Sequence, residues 1–80
     1  MTLTHAIAKR IITLCQQRGI TLNKLSIISG MTQSTLNNII NTGSKNPTVS
    51  TVKKVCDGLD ISLSEFFADP LFENLEQEIK

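Results

Sequence analysis

Residues 21–41 read TLNKLSIISGMTQSTLNNIIN, and this stretch decides the fold. Leu22, Leu25 and Ile28 fall three apart, a spacing that places side chains along one side of a short helix. Thr21 stands in front of them as an N-cap, because its hydroxyl can accept one of the N–H groups that a first helical turn leaves unpaired. That helix runs to about Ser29. Gly30 breaks it, and Met31 can point inward. Thr32 caps a further helix to about Asn41. Its buried side is Leu36, Ile39 and Ile40, and its outer side is Gln33, Ser34, Asn37, Asn38 and Asn41.

Working outward, the same signals recur. Ile7, Ile11, Leu14 and Cys15 form one face of a first helix, capped by Thr4 and running to about Arg18. Gly19 ends it, since glycine accepts the left-handed conformation of a C-terminal cap. Lys9 and Arg10 fall off the apolar face. Residues 41–47 are all turn formers and make a loop. Thr48 caps a fourth helix with Val49, Val52, Val55, Cys56 and Leu59 inside. Ser62 and Glu65 have the spacing of a capping box, which opens a fifth helix through Phe66 and Phe67. Pro70 stops it. In the tail, Leu71, Phe72, Leu75 and Ile79 recur at helical spacing among Glu73, Glu76 and Glu78. There are no strand signals and no internal repeat. The fold class is all-α, five short helices, with residues 4–69 as the domain and 70–80 as an acidic amphipathic tail.

An 80-residue chain is one domain, and an apolar fraction of 40% excludes wholesale disorder. Residues 1–58 carry seven basic side chains against one acidic, whereas residues 59–80 carry six acidic against one basic. A basic body with an acidic end lets one face meet an anion while the other stays away from it. Cys15 and Cys56 sit among apolar neighbours, as buried free thiols of a reducing compartment do. Two Cys and one His are too few ligands for a metal site. No apolar run approaches the roughly 18 residues of a membrane span. The start of the chain lacks the basic-then-apolar plan of a signal peptide, so a cytoplasmic protein is expected. His5 is the sole histidine, no nucleophile is spaced with a base, and Gly43 stands alone rather than in a phosphate-binding loop. Neither an enzyme nor a cofactor is indicated.

The outer side of the 33–41 helix is the informative surface. Exposed helix faces usually carry Glu, Lys and Arg, which are good helix formers. This one carries amides and hydroxyls, a choice that makes sense where they touch a ligand. Two short helices joined by a tight break are a helix-turn-helix, whose second helix enters the DNA major groove. Gln33 lies in its first turn, and its amide matches the N7 and N6 edge of adenine. Ser34 and Thr35 are short enough for close approach, and the Thr35 methyl can meet a thymine methyl. Asn38, one turn after Ser34, can read adenine or bind backbone. Phosphate contacts are expected from Thr21, Asn23, Asn41, Thr42, Ser44 and Lys45, with Lys9, Arg10 and Lys24 supporting the field at longer range. A two-fold dimer would double these contacts and read half-sites about 34 Å apart, or a multiple of that. The apolar stripe Leu71, Phe72, Leu75 and Ile79 either forms that dimer interface or packs back on its own domain.

Residues 6–67 resemble the lambda-Cro/C1-type helix-turn-helix family of bacterial and phage regulators. The resemblance is spread over Arg18-Gly19-Ile20-Thr21, Leu25, Gly30, the run from Gln33 to Ile39, Asn46-Pro47-Thr48, Thr51 to Val55, and Ile61 to Phe67. The order and spacing of these pieces carry it, since no single one is specific. It implies a lambda-repressor-like domain that binds double-stranded, two-fold-symmetric operator DNA as a transcriptional regulator, a repressor of its own or a neighbouring promoter. Leu22 departs from the family, which has a phosphate-binding glutamine there, and Asn23 is the replacement at hand. An antitoxin or phage regulator acting with a protein partner through the tail is an alternative. A protein-interaction module that has lost DNA binding is another.

Overall fold

Each of the five helices begins on a hydroxyl. In the computed structural model, which describes residues 1–42 and 47–79 without the Thr42 side chain, the helices are α1 (Leu3–Arg18), α2 (Leu22–Ile28), α3 (Gln33–Asn37), α4 (Val49–Leu59) and α5 (Leu63–Phe67). Thr2, Thr21, Thr32, Thr48 and Ser62 are their N-caps, and every cap oxygen accepts the N–H three residues on. Such a cap contributes about 1 kcal/mol. The capping box is complete, with Ser62 N–H donating to Glu65 Oε1 and Glu65 N–H donating to Ser62 Oγ. Thr2, not Thr4, caps α1, so that helix starts earlier than its apolar stripe indicates.

The ends of α1, α2 and α4 share a rule of their own. Gly19 and Gly30 adopt φ of 65° and 67°, a region open to glycine because it lacks a Cβ. Asp60 does the same at φ 57° without being glycine, and its N–H donates to the Asp57 carbonyl. After each of these three residues, the next N–H turns back to a carbonyl five residues earlier: Ile20 to Cys15, Met31 to Ser26 and Ile61 to Cys56, each at 3.0 Å. This is a Schellman closure, which normally adds an apolar contact. Ile20, Met31 and Ile61 supply it by packing on the core.

That core gathers Ile7, Ile11, Leu14 and Cys15 of α1, Leu25 of α2, Leu36 and Ile39 around α3, Val52, Val55, Cys56 and Leu59 of α4, and Phe66 of α5. Two apolar residues that the periodicity places inside are outside: Ile28 is 38% exposed and Val49 70%. On α2 the inward face is Leu22, Leu25, Ser26 and Ser29. Both serines are buried, and Ser29 lies where α4 comes close at Gly58: a Cβ there would stand 2.6 Å from Ser29 Oγ and 3.1 Å from the Ile28 carbonyl. A larger residue at position 58 would push α2 and α4 apart, and the α2–α3 pair moves with α2.

Beyond α5 the chain does not form the amphipathic helix that the spacing of Leu71, Phe72, Leu75 and Ile79 predicts. Residues Pro70–Phe72 make one 3₁₀ turn, capped by Asp69, and the rest is irregular. Leu71, Phe72 and Leu75 are half-buried, Phe72 packs on the core, and Ile79 is exposed. The Phe72 ring lies 4.9 Å from Phe67 and 6.1 Å from Phe66 between centroids. Glu76 N–H donates to the Met1 carbonyl at 3.0 Å, so the tail lies back along the start of α1.

Arg10 corrects a second expectation. Instead of lending distant charge to a DNA surface, its guanidinium is nearly buried. Nε donates to the Phe66 carbonyl at 2.8 Å, Nη2 to the Glu65 carbonyl at 2.9 Å, and Nη1 pairs with Asp69 Oδ2 at 3.2 Å. One side chain on α1 thus satisfies carbonyls at the end of α5 and fixes the residue just before the tail.

Candidate nucleic-acid interface

The surface begins at the turn between α2 and α3. Met31 and the buried Leu36 and Ile39 hold α3 from inside, and Asn37, expected on the outer side, is half-buried. Gln33, Ser34, Thr35 and Asn38 are all exposed. The helix does not simply continue to Asn41. After Asn37 it widens into a π-helical turn, Asn38–Thr42, which packs on α1. That turn buries Ile39, half-buries Ile40 and leaves Asn41 exposed.

The N-terminal turn of α3 contains an ordered pair of hydroxyls. Thr32 Oγ1 accepts the Thr35 N–H at 3.1 Å and donates its own proton to Thr35 Oγ1 at 2.8 Å. The periodicity gave Thr32 only a capping role and left its link to Thr35 unseen. The signal was a threonine three residues after a threonine cap, a spacing that recurs at Thr48 and Thr51, whose hydroxyls lie 3.0 Å apart.

Of the expected phosphate ligands, Thr21 and Asn23 are exposed at the start of α2, next to Lys24, which is also exposed. Thr21 Oγ1 accepts the Lys24 N–H at 3.1 Å, and the Asn23 carbonyl accepts from Ser26 Oγ at 2.6 Å. The Thr42 side chain, Ser44 and Lys45 lie outside the described residues. On α4, Lys53 pairs with Asp57 one turn later, and that contact raises the lysine pKa. Burial pushes the Cys15 and Cys56 thiols up, so both stay protonated and inert at neutral pH. Among the described residues no group of three His, Cys, Asp or Glu is placed to hold a metal ion, and no helix is long and apolar enough to cross a membrane.

What this arrangement offers is a short helix carrying exposed, uncharged donors and acceptors, flanked by hydroxyl-capped helix starts. The family model of the Cro/C1-type HTH DNA-binding domain matches residues 10–70. The chain belongs to this family. The matched span of the Cro/C1-type domain runs from Arg10 through Pro70, and so includes both partners of the Arg10–Asp69 pair. Three solved structures share its fold. The prophage Lp1 protein 11 is 32% identical, with a TM-score of 0.82 over 94% of this chain and 99% of that one. An HTH_3 family transcriptional regulator from Vibrio cholerae is 31% identical, with a TM-score of 0.76 over 85% of this chain but 38% of its own length. The restriction-modification controller protein C.Esp1396I, at 22% identity and a TM-score of 0.75, covers 84% of this chain and 85% of its own; it shares the fold alone. No curated protein matches the sequence.

Proposed function

We propose that this Cro/C1-type domain is a sequence-specific transcriptional repressor that lays α3 in the major groove of a two-fold-symmetric operator. The observation that carries the reading is the exposed, uncharged face of Gln33, Ser34, Thr35 and Asn38 on the helix that follows the Gly30 turn. Amides and hydroxyls of this kind can donate to and accept from base edges, and so discriminate between them. In this reading Thr21, Asn23, Asn41, Thr42, Ser44 and Lys45 hold the flanking phosphates. The protein works in the cytoplasm of a bacterium, encoded by the cell or by a phage, as a homodimer. With Leu71, Phe72 and Leu75 half-buried against their own domain, the dimer contact draws on their outer edges and on the exposed Ile79.

Fluorescence titration with labelled duplex at rising salt tests this. Three to five neutralised phosphates per subunit, six to ten for the dimer, give a slope of log K against log salt of about −5 to −9. Absence of binding at low micromolar protein and low salt contradicts the proposal and favours a module that has kept the fold for protein contacts.

A further inference from the structure

A hydroxyl normally reads nothing decisive, because it can donate or accept as required. Thr35 is different. Its Oγ1 already accepts the proton of Thr32 Oγ1 at 2.8 Å, while Thr32 Oγ1 is itself held by the Thr35 N–H at 3.1 Å. Thr32 therefore has its donor directed at Thr35, and the Thr35 proton is left pointing away from Thr32. With Oγ1 pinned, the staggered geometry at Cβ also fixes the direction of the methyl group. Thr35 is exposed, so this donor and this methyl belong to a side chain open to solvent.

A donor beside a methyl matches one base in the major groove. Thymine presents the O4 acceptor next to its C5 methyl, whereas cytosine presents a donor at the corresponding place and has no methyl. We infer that Thr35 reads a thymine, and that Thr32 is the positioning residue that sets the polarity of the Thr35 hydroxyl. This rests on α3 being the base-reading helix.

Selection of bound duplexes from a random pool, run with the wild-type protein, Gln33→Ala and Thr35→Val, locates the position. Thr35→Val is expected to relax one position, and that position is a thymine. Duplexes carrying deoxyuridine or 5-methyldeoxycytidine there separate the two contacts, since the first removes only the methyl and the second keeps it while replacing the acceptor by a donor, with Thr35→Val reporting the effect of the guanine that replaces adenine opposite it. The wild-type protein should favour thymine over 5-methylcytosine by about five- to tenfold. Thr35→Val should lose that ratio but keep its preference for thymine over uracil. Thr32→Ser keeps both the cap and the donor and should preserve the wild-type ratio. Thr32→Asp keeps the cap but can only accept, which turns the Thr35 proton inward, and its thymine to 5-methylcytosine ratio should fall to about one or below. The added charge weakens binding to every duplex alike and leaves the ratio to be read.

If Gln33→Ala relaxes a position while Thr35→Val relaxes none, or relaxes a base other than thymine, the inference is overturned and α3 remains the reader. If neither variant changes any preference, the reading of α3 falls with it. A wild-type ratio retained in Thr32→Asp removes the role given to Thr32.

Discussion

Gln33→Ala is expected to erase an adenine preference at one operator position and to weaken specific binding by about 1–3 kcal/mol. Gln33 is the first residue of α3 and is exposed. Its amide can donate to N7 and accept from N6 of adenine together. Truncation leaves the base edge without either partner in a site that excludes water, so the loss reflects two bonds and their desolvation. Because Gln33 is exposed and not a cap, the folded domain should melt as before. The check is parallel selection and equilibrium titration with the wild-type and variant proteins. A uniform loss across all duplexes, with base preference intact, would assign Gln33 to backbone instead.

Arg10→Ala should produce the largest loss of stability predicted for the domain, about 2–4 kcal/mol. Its side chain is 11% exposed and that of its partner Asp69 is 24% exposed, so the pair is largely shielded from water. Truncation leaves the Asp69 carboxylate unpaired and strips two carbonyls, Glu65 and Phe66, of their donor. An 80-residue domain has about 4–12 kcal/mol in all, so the loss is a large share. Thermal unfolding should shift down by roughly 10–25 °C. Arg10→Lys should recover a minor part, since an ammonium lacks the planar fork that reaches three acceptors at once. Below its lowered melting point, Arg10→Ala should keep the wild-type base preference, because nothing in α3 has changed. A melting point within a degree or two of wild type would show that the clamp contributes little.

The legible parts of this fold were those written locally. A hydroxyl residue before an apolar stripe marked the starts of α2, α3, α4 and α5, and a glycine after one marked the ends of α1 and α2. Asp60 closes α4 in the same left-handed conformation but carries no such mark, since aspartate is common on any helix surface. On α2, with barely two turns, period alone could not choose between Ile28 and Ser29. The choice was made by Gly58 on α4, whose close approach admits only small side chains. Arg10 and Asp69 are 59 residues apart, and no periodicity links them. The tail's apolar spacing suited a helix, but the chain makes a single 3₁₀ turn after Asp69, and Phe72 docks on Phe66 and Phe67. At the candidate interface, residue types pointed to the outer face of α3, while the direction of the Thr32–Thr35 bond required coordinates.

The most direct test of the account is amide chemical-shift mapping on titration with a selected duplex. The account predicts that the largest shifts cluster at residues 32–38 and at the α2 start, residues 21–24, with residues 73–79 unmoved. Shifts concentrated in the tail or on α5, with α3 silent, would contradict it.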